Sequence, residues 1–128
     1  MANPYVRGFN QTLHEFVGNL REVFPDDATL CTIEKGMDKL IKANPVIIVK
    51  CWKPYVLDKF QEQINAGDLD YFIDYDYTHE VQTLGAPASV LTVIEQLRAP
   101  MRNMSTENKS TCVLFLQRLN QLCAASGK

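Results

Sequence analysis

The sequence predicts an all-α fold, a compact bundle of about five or six helices interrupted by one irregular acidic-aromatic segment. Three observations lead there. Apolar residues recur at spacings of three and four along most of the chain, as a buried helix stripe requires. Prolines, glycines and capping side chains punctuate those stripes at helical lengths. The one β-branched run, Val46 to Val49, has no evident partner strand.

Phe9, Leu13, Phe16, Val17, Leu20, Val23 and Phe24 form the first stripe, with Gln11, Glu15, Asn19 and Glu22 on the other face. This predicts a helix over 4–24. Pro25 stops it, because the residue before a proline disfavours the α region. Asp26 or Asp27 caps a second helix and suits its positive end. Its stripe is Leu30, Ile33, Met37, Leu40 and Ile41, and Lys39 and Lys42 suit its last turns. Asn44-Pro45 ends it, so the first two helices read as an antiparallel hairpin.

Pro45 suits the first position of a third helix, capped by Asn44 and running to about Trp52. Pro54 is expected to interrupt or kink it. Val56, Phe60 and Ile64 resume helical spacing, and Gly67 offers a left-handed cap. Residues 68–80 read DLDYFIDYDYTHE, with neither a 3.6 period nor strict alternation. A short helical turn over 69–73 and then an ordered loop are expected. Residues 82–87, with Gly85, read as a flexible connection.

Pro87 opens the next helix, with Val90, Leu91, Ile94 and Leu97 as its apolar face, and Pro100 closes or kinks it. Ser105 or Thr106 caps the last helix, with Glu107 in its first turn. Cys112, Phe115, Leu116, Leu119, Leu122 and Cys123 make its stripe, and 126–128 read as a frayed tail. The expected core includes Phe9, Leu13, Phe16, Leu20, Ile33, Leu40, Phe60, Ile94, Phe115, Leu116 and Leu119.

Composition narrows the function classes. The chain has 128 residues, 46% hydrophobic and 22% charged, as one globular domain has. The 13 lysines and arginines are scattered and the net charge is −2, whereas nucleic-acid modules carry a basic face. No secretory leader is evident, and no apolar run nears the roughly 20 residues of a membrane span. Cys31, Cys51, Cys112 and Cys123 therefore read as reduced, mostly buried thiols.

The search for chemistry returns little. His14 sits one step from an apolar stripe and reads as a boundary residue. His79 lies beside Glu80 and near Asp76, but adjacent side chains do not usually converge on one metal or substrate, and a solvated acidic loop explains the same letters. An EF-hand loop needs Gly at its position 6 and Glu at 12. Started at Asp68 or Asp74, the sequence puts Ile73 or His79 at the glycine position. No cysteine pair has zinc spacing, and no glycine cluster forms a phosphate loop. No catalytic residue, cofactor or metal is assigned. What remains is aromatic: Tyr71, Tyr75 and Tyr77, with Asp74 and Asp76, read either as a protein-contact surface or as a segment in which Phe72 and one tyrosine plug the core while the acids face water, and the two readings are compatible. Trp52 reads either as core or as an interface anchor.

Three segments carry a family resemblance: FNQTLHEFVGNLREVFPDD with the Asn44-Pro45 break after it, PYVLDKFQEQINAGDLDYFIDYDY, and STENKSTCVLFLQRLNQL. Together, from Phe9 to Leu122, they resemble small helical virion-associated proteins of large nucleocytoplasmic DNA viruses, such as those infecting algae and amoebae. The sequence departs from that pattern at Thr111-Cys112-Val113, where a bulkier aromatic is expected. The resemblance implies a minor capsid protein without catalytic activity, located in the virion and, before assembly, in the host cytoplasm. Its partners would be other capsid or virion proteins, including copies of itself. The alternative is a soluble module that binds a host or viral protein inside the cell. A third reading, an unfamiliar enzyme site around His79, Glu80 and Asp76, needs a concave pocket.

Overall fold

The first helix starts where the Asn3 side chain accepts the Tyr5 amide at 2.8 Å. Pro4 sits in its first turn, where the N–H it lacks would have no helical partner. The computed structural model describes residues 3–76 and 88–127, and among these the chain is helical without strands. Helix α1 spans Pro4–Val23 and α2 spans Ala28–Ala43. Then α3 (Ile47–Trp52), a π-helical stretch (Lys53–Leu57) and α4 (Asp58–Asn65) run on as one rod. A short α5 (Leu69–Asp74), α6 (Ala88–Met101) and the long α7 (Thr106–Ser126) complete the bundle.

The helix ends follow local chemistry. Asp27, rather than Asp26, caps α2 by accepting the Thr29 amide at 2.9 Å. Ser105, rather than Thr106, caps α7 by accepting the Asn108 amide at 3.2 Å. Gly67 has φ +81°, and the amides of Gly67 and Asp68 donate back to Ile64 and Gln63. That pair of bonds closes α4 and needs a left-handed residue between them. Asn44 accepts the Val46 amide, but residues 45 and 46 form a turn and α3 begins only at Ile47.

As expected, the α-helical register is interrupted at Pro54, and α3 ends at Trp52. In an α-helical register its missing N–H would leave the carbonyl four residues earlier without a partner. The helix instead widens to a π turn at this place, with the Asp58 amide reaching back five residues to Lys53. At the C-terminus the tail starts later than expected. Ser126 is helical and buried, and its carbonyl accepts the Asn3 side-chain amide at 3.0 Å. The loop expected to follow α5, the connection at 82–87 and the helix start at Pro87 lie outside the described residues.

Helix α1 packs most extensively on α7 and also on α2, and α2 packs on α6. The rod from α3 to α4 lies against α7, and α5 packs on α4 and α6. One core joins them all. Phe9, Leu13, Phe16 and Leu20 of α1 meet Ile33, Phe60, Ile94, Leu116 and Leu119. Leu40 and Phe115, also expected in the core, are only partly buried at its margin, where Phe115 stacks on Phe16 with ring centres 5.2 Å apart.

Cys51, Cys112 and Cys123 are buried, and Cys31 is half-buried. Burial pushes the thiols of Cys112 and Cys123 up to about 11 from an ordinary 9.0. Burial raises Cys51 as well, with Lys50 opposing it. Below pH 9.0 these thiols are protonated in both the folded and the unfolded chain and cost nothing. Between pH 9.0 and about 11 the unfolded chain releases protons that the folded one retains, so stability falls as pH rises. Urea denaturation across this range should show that fall, and Cys112→Ala with Cys123→Ala should flatten it.

Candidate protein-contact face

The acidic-aromatic segment folds because it has an inside and an outside. Leu69, Phe72 and Ile73 point into the core, while Asp70, Tyr71 and Asp74 point out. Asp68 starts the helix by accepting the Tyr71 amide at 3.3 Å. Phe60 of α4 is the hub beneath it. Its ring meets Tyr71, Phe72 and Tyr75 edge-on, with centroids 5.8, 5.3 and 5.1 Å away. Lys59 donates to the Tyr75 hydroxyl at 3.0 Å, and its ammonium lies 4.9 Å from that ring centre.

The far end of α5 is held by guanidinium groups. A helix C-terminus leaves carbonyls without amide partners and carries partial negative charge. Arg98 of α6 donates to the Phe72 and Tyr75 carbonyls at 2.8 and 2.7 Å. Arg102 donates to the Ile73 carbonyl at 2.9 Å. Glu95 pairs with both arginines and offsets part of their charge. This offset matters because Arg98 is only 4% exposed, and a buried cation is tolerated only when it is paired and hydrogen-bonded. At the other end, Lys109 of α7 pairs with Asp70 at 3.2 Å.

The result is a fixed, open depression of ≈ 540 Å³ lined by Asp68, Asp70, Tyr71, Asp74, Tyr75 and Asp76. It presents carboxylates and phenols, groups suited to accept hydrogen bonds from lysine and arginine and to cover apolar surface. Among the described residues that line it, none is a nucleophile paired with a base. Among the described residues, no three His, Cys, Asp or Glu side chains are grouped to hold a metal ion.

Tyr71, 49% exposed, and Asp74 and Asp76, both exposed, come together here, with Tyr75 half-buried beside them. Tyr77 lies outside the described residues, as do His79 and Glu80. Trp52 does not belong to the face. It is 1% exposed, its ring meets Phe9 edge-on, and its indole N–H donates to Asn120 at 2.8 Å. A side chain so enclosed cannot anchor a partner, so the interface reading of Trp52 is corrected to core. His14 lies on the surface, 2.6 Å from Asp38 across the α1–α2 hairpin.

Arg98, Arg102 and Glu95 escaped the sequence reading. The signal was present: Arg98 follows Leu91 and Ile94 at helical spacing, so it falls on the buried face of α6, where a cation must have partners.

Comparison with known protein families, curated proteins and solved structures finds no match to this chain. Among the described residues, no helix is long and apolar enough to cross a membrane.

Proposed function

We propose that the protein is a non-enzymatic structural component of a large DNA virus particle, a minor capsid protein that bridges or cements capsid subunits. The virion setting rests on the sequence resemblance. The mode of action rests on one observation: Tyr71 stands half-exposed on a helix whose two ends are pinned by Lys109, Arg98 and Arg102. A contact surface ordered before its partner arrives loses little conformational freedom on binding. Repeated over many copies, modest contacts of this kind accumulate into a stable shell.

Quantitative mass spectrometry of purified, salt-washed particles tests the reading. The expected result is a fixed ratio to the major capsid protein that survives the wash. Absence from particles, or loss in the wash, overturns it and leaves the alternative of a soluble module acting on a host or viral protein.

A further inference from the structure

The groove between α2 and α6 has a volume of ≈ 450 Å³ and is lined by residues including Ile33, Gly36, Lys39, Leu40, Val93 and Gln96. Gly36 lies inside α2, where glycine is less favourable than alanine. A Cβ there would meet nothing within 4 Å, so the fold does not require the glycine for internal packing. Its absent side chain leaves the groove open to close approach.

Lys39 lines the groove, and Lys35 and Lys42 stand one turn of α2 to either side of it, all three exposed. The acidic residues of α2 are already engaged: Glu34 by Arg21 at 3.2 Å and Asp38 by His14 at 2.6 Å. Among the described residues the three lysines have no carboxylate partner. A chain of net charge −2 thus carries an uncompensated basic edge beside an apolar trough. The matching chemistry, an exposed ring flanked by carboxylates, is found on the same chain. It is the α5 face, with Tyr71 half-exposed beside Asp70 and Asp74.

We infer that the α2–α6 groove receives the Tyr71 face of a second copy of this chain. The Tyr71 ring enters the trough against Ile33, Leu40 and Val93, and Asp74 meets the lysine edge. The contact joins two different surfaces, so it is head-to-tail, and each added copy leaves one surface of each kind free for the next. It shares the Tyr71 face with the proposed function but not the virion setting, and the purified chain alone tests it. A small, charge-steered contact is weak and salt-sensitive.

Sedimentation velocity on the full chain, from about 10 μM to about 1 mM, is the test. At low salt the average mass should rise with concentration, and raising the salt should weaken association about tenfold or more. Lys35→Glu with Lys39→Glu should leave a monomer, as should Tyr71→Ser with Asp74→Lys. Each variant retains the surface that the other has lost. Mixed in equal amounts, they should therefore form one-to-one dimers and nothing larger. Wild-type helicity by circular dichroism would establish that both fold. A wild-type chain that stays monomeric throughout overturns the inference. So does association that survives either variant, or failure of two folded variants to pair. None of these outcomes bears on whether the protein is found in particles.

Discussion

Arg98→Ala is expected to lower the unfolding free energy by about 1–3 kcal/mol for each carbonyl it leaves without its donor. The loss has identifiable parts. The Phe72 and Tyr75 carbonyls lose their guanidinium donor, Glu95 loses one of its two arginines, and the Phe72 ring loses the cation 5.8 Å from its centre. Arg98→Lys should recover only part of this. One ammonium cannot reproduce the planar fork that reaches two carbonyls and a carboxylate at once. Urea denaturation gives the total, and amide exchange locates it. Exchange should accelerate first in α5, whose far end the arginines hold. Unchanged exchange there would mean that α5 is held by Phe60 and its neighbours alone.

Trp52→Ala should cost a similar amount, about 3–5 kcal/mol, because a large ring leaves a cavity that the bundle cannot fully close. A second contribution comes from Asn120. Its carbonyl oxygen accepts the indole N–H, and its side-chain nitrogen has no hydrogen-bond partner among the described residues. Without the tryptophan the buried amide is wholly unsatisfied, which costs about 1–3 kcal/mol. Trp52→Phe should isolate that contribution by keeping most of the ring. Adding Asn120→Leu to Trp52→Phe should then restore stability relative to Trp52→Phe alone. A double-mutant cycle by guanidinium unfolding measures the coupling. A coupling of zero would mean that the hydrogen bond contributes nothing.

These two residues also mark what a sequence can and cannot disclose. The helices were legible because their stripes and ends are local. Asp27, Gly67 and Ser105 act on amides a few residues away, so the letters around them suffice. Pro54 was legible as an interruption of the α-helical register, but the form of that interruption was not. Widening the helix lets it continue, and the tertiary packing of Val56 and Phe60 rewards the continuation. Trp52 was ambiguous because its fate depends on Asn120, 68 positions along the chain. Leu40 and Phe115 lie on true stripes but at their edges, and a stripe does not state how wide its neighbour will be. The contact face was half legible. Interleaved acids and aromatics announce a surface, but the arginines that fix it come from α6, and no local pattern joins the two.

The hydrogen bond from Asn3 to Ser126 spans 123 positions, and α1 has its most extensive packing on α7. During synthesis α1 therefore waits for α7. At ordinary synthesis rates that wait is about 6–25 s, and throughout it the row from Phe9 to Leu20 lacks its main cover. Closing a loop this long is slow in its own right. The window invites chaperone capture or mispairing between neighbouring nascent chains. A circular permutant of residues 3–127, opened between α1 and α2, would make α7 and α1 consecutive and should quicken folding without altering the finished bundle.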